Sequence, residues 1–198
     1  MFNKFIWNQL IQPRNFQQNS LPDQLHDSIN WKNSVVAGSY ALKQFTGDSN
    51  WESHDVDVMV ACPSKDAFQN EANSFVQKSG AKLQEEAWFD DPNGTRGSTR
   101  DELFHNLVLG SKTYEVPGYD KPVQLICLKQ TVEMQHPTAI LNETSDIPSC
   151  VSYSMMNGQR IFHVPEKGRE ILFTGHGQVT QICASRKTKY EERGYKFY

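Results

Sequence analysis

The stretches Val35–Leu42 (VVAGSYAL) and Asp55–Val60 (DVDVMV) decide the fold of this 198-residue chain. In the first stretch, a β-branched apolar run predicts a short strand that ends at Gly38. The residues that follow predict a helix from Ser39 to Phe45, which ends at Gly47. In the second stretch, apolar and polar residues alternate strictly, and this alternation predicts another strand. The two stretches therefore predict a strand, a tight turn into a helix, and a second strand.

The polar residues of these stretches are suited to binding metal and phosphate. Because side chains along a strand alternate, Asp55 and Asp57 are expected on one face and Val56 on the other. Two carboxylates about 7 Å apart along a strand repel each other, so the pair is typical of a divalent-cation site. Gly38 permits close approach of a ligand to the backbone, and Ser39 offers a hydroxyl and an N–H at a helix N-terminus. Helix capping and an exposed acid pair are the structural alternatives.

The remaining elements favour an α+β fold, with a mixed β-sheet and helices packed mainly on one face. Further helices are predicted at about 20–28, 64–80, from 137, and 179–192. Further strands are predicted at 81–89, 123–128, 150–153, 161–164 and 195–198, with a hairpin of strands 104–109 and 112–116 around Gly110-Ser111. The elements lack the strict β-α-β alternation of a doubly wound sheet, which excludes that class.

Composition narrows the class of protein. No apolar stretch approaches the roughly 20 residues that span a bilayer, and the first ten residues lack a signal peptide, so no membrane association is expected. None of the four cysteines lies in a CxxC pair, and each lies in an apolar stretch; they are Cys62, Cys127, Cys150 and Cys183. Buried free thiols are therefore predicted, in the cytoplasm or another reducing intracellular compartment.

Charge is distributed unevenly along the chain. The net charge is −3, yet residues 160–198 carry eight basic and four acidic residues. An acidic body with a basic end suits a site that binds metal on one side and phosphates on the other. The segment Arg186–Arg193 is predicted either to contact a triphosphate or nucleic-acid acceptor, or to form a solvated helix face. Lys43 is predicted to face either phosphate or solvent, and His54 either to contact phosphate or to have no role. Trp51 and Phe89 are predicted either to stack on a base or to pack against the protein.

The two opening stretches resemble the DNA polymerase β-like nucleotidyltransferase superfamily. The similarity lies in Gly-Ser after an apolar strand, followed on the next strand by two aspartates with an apolar residue between them. Fifteen residues, Tyr40–His54, separate the two parts, slightly more than the superfamily usually has. Farther along, Val123–Ile126, Asp146–Val151 and Lys189–Tyr195 resemble a little-characterised branch found in fungi and large DNA viruses. The resemblance covers roughly residues 34–198.

This resemblance implies an activity and a set of site residues. Three carboxylates on neighbouring strands would hold two Mg²⁺ ions, with Mn²⁺ as an alternative. The ions would hold a nucleoside triphosphate such as ATP, and an acceptor hydroxyl would attack its α-phosphorus and release pyrophosphate. By this resemblance Asp55 and Asp57 ligate metal, Gly38 and Ser39 hold the triphosphate, and Asp146 is the third ligand and the base toward the hydroxyl.

Two features, the long spacer and Gln124, keep an alternative open. Some members of the superfamily place the third acid on the strand where this chain has Gln124. If Gln124 occupies that position, the protein is expected to be a catalytically inactive nucleotide- or partner-binding module. The acceptor of an active enzyme is expected to be a small molecule, a protein or a nucleic-acid end. The chain is divided into an N-terminal arm and helix, 1–30, and a nucleotidyltransferase-like domain, 31–198.

Overall fold

A computed structural model describes most of the chain. The described residues are 21–48, 50–89, 107–131, 135–144, 151–177 and 184–198. The helices are α1 (Asp23–Ser28), α2 (Gly38–Thr46), α3 (Lys65–Ser79), α4 (Pro137–Thr144), α5 (Glu166–Thr174) and α6 (Ala184–Glu191). The strands are β1 (Ser34–Ala37), β2 (Val56–Cys62), β3 (Lys82–Trp88), β4 (Val108–Glu115), β5 (Val123–Lys129), β6 (Ser152–Met156), β7 (Gln159–His163), β8 (His176–Gly177) and β9 (Lys196–Phe197).

Seven of these strands form one mixed sheet in the order β3-β4-β5-β2-β1-β6-β7. β2 and β5 run parallel, and the other neighbouring pairs run antiparallel. β2 therefore lies near the middle, between β1 and β5. β8 and β9 form a separate parallel pair. This topology confirms the predicted α+β class and its mixed sheet.

The helices are distributed unequally over the two faces of the main sheet. Leu25 of α1, Leu42 of α2 and Phe68 of α3 belong to one large apolar cluster, which also contains Val58 of β2. A smaller cluster on the opposite face contains Ile140 of α4 with apolar residues of β1, β2, β4 and β5. Helices thus pack mainly on one face, as the sequence predicts.

Residues close together in the sequence correctly predicted α3, the longest of the described helices. The Ser64 hydroxyl accepts a hydrogen bond from the Ala67 N–H at 3.2 Å, and Gly80 ends the helix with a φ of 69°. Phe68, Ala72 and Phe75 are buried along one side, as expected for an amphipathic helix. Capping residues and apolar spacing were therefore sufficient to predict this element.

The predicted hairpin around Gly110-Ser111 is wrong. β4 runs without interruption through these residues, and β3 pairs along it. A Cβ atom at Gly110 would lie 2.5 Å from Cε3 of Trp88 and 2.6 Å from the carbonyl oxygen of Ala87. Glycine is thus required here by the close approach of the Trp88 ring, not by a turn.

Other elements differ from prediction in extent. Helix α5 was not predicted, although Pro165 precedes it and Gly175, with a φ of 72°, ends it. The last helix begins at Ala184 among the described residues, and the final strand spans only two residues. The predicted turn at Asn157-Gly158 is confirmed between β6 and β7. The N-terminal arm lies outside the described residues, and the division of the chain at residue 30 stays a prediction.

Two further expectations concern thiols and membranes. Cys62 and Cys127 are buried thiols outside any disulfide, as predicted, whereas Cys150 and Cys183 lie outside the described residues. In the part of the chain that the structure describes, no helix has the length and apolar character needed to cross a membrane.

Candidate active site

The two aspartates lie at the start of β2. The strand begins at Val56, one residue later than predicted, so Asp55 directly precedes it. Val56 and Val58 are buried in the large apolar cluster, so Asp57 lies on the opposite face. Both carboxylates are half-buried, which leaves them accessible to an ion or ligand.

Gly38 lies against the carboxylate of Asp57. Ala37 and Asp57 are partners in the β1–β2 ladder, so the turn after β1 lies beside the acidic strand. Gly38 has a φ of 69°, and a Cβ atom placed on it would overlap Oδ2 of Asp57 and lie 3.4 Å from its Cγ. The carboxylate oxygen thus occupies the place of a side chain at Gly38. The two sequence motifs are joined at this contact, which requires glycine on both steric and conformational grounds.

The first turn of α2 begins at this contact. Ala37 is its N-cap and makes no side-chain capping hydrogen bond. The first N–H groups of a helix lack intrahelical partners, and the helix dipole favours negative charge there. Ser39, in this turn, is 6% exposed. Its Oγ accepts a hydrogen bond from Nη1 of Arg193 at 3.3 Å. Anion-binding groups and carboxylates therefore meet at one edge of the sheet.

Arg193 reaches this edge from a position 154 residues farther along the chain. Its guanidinium lies 4.0 Å from the ring centroid of Trp51 and 5.4 Å from that of Tyr190. Burial lowers the pKa of Arg193 from its ordinary value, while the nearby Tyr190 and Asp55, among other groups, act to raise it. An arginine remains cationic under such shifts, so a positive charge is held beside Ser39 and Asp55.

Arg193 differs from the neighbouring basic residues of the segment predicted to contact a ligand. Lys187 and Lys189 are exposed, and Lys187 forms an ion pair with Glu191 at 3.7 Å, one turn away on α6. The solvated helix face that the sequence also allowed is thus observed for Lys187. No local pattern distinguished Arg193, because its position depends on how the last residues pack on the loop before β2.

The long spacer between the two motifs comprises most of α2 and then that loop. Nζ of Lys43, in α2, donates to the carbonyl of Trp51 at 2.8 Å and to the carboxylate of Glu52. Lys121 donates to the carbonyl of Ser53 at 2.9 Å and lies 3.6 Å from Glu52. The hydrogen bond from Lys43 holds the pKa of Glu52 below its usual value. Lys43 therefore anchors the loop that presents Trp51 to Arg193.

Two other residues considered from the sequence lie apart from these contacts. His54 is exposed. Phe89 packs against the smaller apolar cluster, which matches the packing alternative for that ring.

The strand beside Asp57 presents an amide. In the parallel β2–β5 ladder, Asp57 is the partner of Gln124, whose Nε2 donates to Oγ1 of Thr113 on β4 at 3.3 Å. Asp146, the predicted third carboxylate, lies outside the described residues. Within the described ranges, no group of three or more His, Cys, Asp or Glu residues is arranged to hold a metal. The side-chain oxygens of Asp55, Asp57 and Gln124 are of the kind that a hard cation such as Mg²⁺ takes as ligands.

The fold is shared with known enzymes, although comparison with known families and with curated proteins finds no match. A solved tRNA-processing enzyme in its apo form is similar with a TM-score of 0.53 at 9% identity, over 92% of this chain and 46% of that one. A CCA-adding enzyme with ATP is similar with a TM-score of 0.53 at 11% identity, over 87% of this chain and 36% of that one. At such identities the similarity shows the fold alone, which is nucleotidyltransferase-like. This chain spans less than half the length of either enzyme.

Proposed function

We propose that the protein is a metal-dependent nucleotidyltransferase, which moves a nucleoside monophosphate from a nucleoside triphosphate to an acceptor hydroxyl. The contact between Gly38 and Asp57 carries this proposal, because it joins a helix N-terminus to the acidic strand. The acceptor oxygen forms a bond to the α-phosphorus, the bond to the bridging oxygen breaks, and pyrophosphate leaves. The nucleotidyltransferase-like fold is consistent with this chemistry.

Asp55 and Asp57 are the proposed metal ligands. Both are accessible at the start of β2, and their oxygens match the ligand preference of Mg²⁺ or Mn²⁺. Two such ions, when bound, would neutralise charge that develops on the phosphates during transfer. Gly38 keeps the Asp57 carboxylate beside the first turn of α2, so metal ligand and phosphate site share one edge.

Ser39 and Arg193 are the proposed ligands of the triphosphate. Ser39 lies in the first turn of α2, and its hydroxyl accepts a hydrogen bond from the guanidinium of Arg193. The planar guanidinium donates several hydrogen bonds in a geometry that suits phosphate oxygens. Stacking on Trp51 restricts the orientation of this guanidinium before a ligand arrives.

Asp146 is the proposed third metal ligand and the base that accepts the proton of the acceptor hydroxyl. β6 runs antiparallel to β1, with Tyr153 as partner of Val36, so the chain enters β6 near the end of β1 that leads to Gly38. Asp146 precedes Val151 by five residues, and five extended residues span roughly 17 Å. An approach of Asp146 to the edge that carries Asp57 is therefore compatible with chain length.

The experiment is to measure pyrophosphate release from each of the four nucleoside triphosphates with Mg²⁺, in the presence of small-molecule, protein and nucleic-acid acceptors. The wild type is compared with Asp146→Asn and with Asp66→Asn, which removes an exposed charge near the other end of β2. Release by the wild type and by Asp66→Asn, but not by Asp146→Asn, is the expected result. Equal release by all three proteins would exclude the proposed role of Asp146.

The amide beside Asp57 favours a second candidate, a nucleotide-binding module without catalysis. Gln124 occupies the neighbouring ladder position and carries no charge. This candidate predicts that Mg²⁺ and a nucleoside triphosphate together raise the unfolding temperature while no acceptor yields pyrophosphate. Turnover with any acceptor would exclude it.

Replacing Arg193 is expected to weaken nucleotide binding. Hydrogen bonds to charged groups contribute about 1.5–3 kcal/mol, so Arg193→Ala should raise the Kd for a Mg²⁺–nucleotide complex by about 10- to 100-fold. Isothermal titration calorimetry with a non-hydrolysable triphosphate measures this change. Lys187→Ala removes an exposed charge from the same segment and should change the Kd by less than about twofold. Equal effects of the two substitutions would exclude a direct contact by Arg193.

A further inference from the structure

A row of polar side chains crosses three neighbouring strands, β2, β5 and β4, and it begins at Asp57 of the acidic pair. Gln124 is the ladder partner of both Asp57 on β2 and Thr113 on β4. The residues that flank these three in the sequence are buried in the large apolar cluster on the other face of the sheet; they are Val56, Val58, Val123, Leu125 and Tyr114. Asp57, Gln124 and Thr113 therefore lie on one face, and all three are half-buried. Next to this row the same face becomes apolar, with Met59 and Ile126 in the smaller cluster.

The position of Gln124 suits a donor to the cation that Asp57 would hold. Neighbouring strands lie about 4.8 Å apart, so side chains of laterally paired residues extend side by side. Mg²⁺ and Mn²⁺ bind oxygens at about 2.1 Å, and an ion between the two side chains is within reach of both. The hydrogen bond to Thr113 engages one end of the amide, and its other end remains for a second partner.

Charge distinguishes this row from one built of carboxylates. Among the described residues, Asp55 and Asp57 supply two negative charges, and the positive charge of Arg193 interacts with the negative charge of Asp55. Gln124 adds an oxygen donor without adding charge. Mg²⁺ gives up its water reluctantly, so a site that has an amide in place of a carboxylate retains the free ion less well, and this holds with Asp146 as a further ligand. A triphosphate brings several negative charges and further oxygen ligands to the same place.

We infer that Gln124 is a neutral ligand at the metal site and makes retention of the divalent cation depend on bound nucleotide. This inference rests on the proposed function. Bound triphosphate then raises the affinity of the protein for the cation. Bound cation raises the affinity for the triphosphate by the same factor. The free protein holds the cation weakly, and the complex with nucleotide holds it well.

The test measures Mn²⁺ retention by electron paramagnetic resonance, with and without a non-hydrolysable triphosphate. The wild type should retain Mn²⁺ only when the nucleotide is present. Gln124→Glu keeps the shape of the side chain but adds a charge, so it should bind Mn²⁺ alone about tenfold or more tightly than the wild type. Gln77→Glu adds the same charge at an exposed site on α3 and should leave Mn²⁺ binding unchanged.

The outcomes separate this inference from the function on which it rests. If the wild type retains Mn²⁺ equally with and without nucleotide, or if Gln124→Glu binds Mn²⁺ no better than Gln77→Glu, Gln124 is not the neutral ligand. The proposed function is tested in the same assay by Asp57→Asn, which should abolish nucleotide-dependent retention. Unchanged Mn²⁺ retention in Asp57→Asn would exclude the proposed metal site at Asp57, and with it the proposed function. Circular dichroism and urea unfolding establish that each variant is folded.

Discussion

Asp57→Asn is expected to lower kcat/KM for Mg²⁺-dependent pyrophosphate release by about a thousandfold or more. The substitution keeps the shape of the side chain at Gly38 but removes the charge that would hold a divalent cation. A metal ion that stabilises charge in the transition state contributes several kcal/mol, and about 4 kcal/mol corresponds to a thousandfold in rate. Steady-state kinetics with the best nucleotide and acceptor pair measure the effect.

The control for this prediction is Asp66→Asn, which removes one negative charge at the start of α3. That variant should retain kcat/KM within about twofold, because Asp66 is exposed and lies beyond the opposite end of β2. Urea unfolding is measured for both variants, so that loss of activity is separated from loss of fold. A folded Asp57→Asn protein with wild-type activity would exclude Asp57 from the reaction.

Gly38→Ala is expected to reduce both stability and activity. A left-handed backbone costs a residue with a Cβ atom about 1–2 kcal/mol, and overpacking in a close contact adds about 1–3 kcal/mol. The free energy of unfolding should therefore fall by about 2–5 kcal/mol, measured from urea denaturation midpoints. Activity should fall as well, because the new methyl group displaces the Asp57 carboxylate.

Gly118→Ala is the matched control. Gly118 has a φ of 77°, and a Cβ atom there has nothing within 4 Å, so this substitution introduces the backbone strain without the overlap. The difference between the two variants isolates the contact with Asp57. Adding Asp57→Ala to Gly38→Ala should recover the steric part of the loss in stability but not the activity. Equal destabilisation by Gly38→Ala and Gly118→Ala would show that the contact with Asp57 contributes nothing.

Two differences between prediction and structure have one physical origin. Gly110-Ser111 carries a local turn signal, yet the strand continues there because the ring of Trp88 packs on the glycine. Lys43 has no sequence neighbour that identifies its role, and its partner Glu52 comes into reach only when the loop folds back on α2. In both cases a tertiary contact overrides what the local sequence favours.

The sequence by itself determined the local parts of the site. The alternation around Asp57 and the glycine that ends the first strand depend only on residues within a few positions of each other. A strand with an acidic start and a turn into a helix at Gly38 were therefore predictable. The cap and the closing glycine of α3 belong to the same class of local signal.

Only the tertiary structure decided what surrounds these parts. The order of strands in the sheet makes Ala37 and Gln124 the two neighbours of Asp57, and no sequence period encodes that order. Packing of the chain's last residues on Trp51 brings Arg193 to Ser39 across 154 positions. Such contacts depend on the summed burial of the whole core, so they appear only when the complete fold is formed.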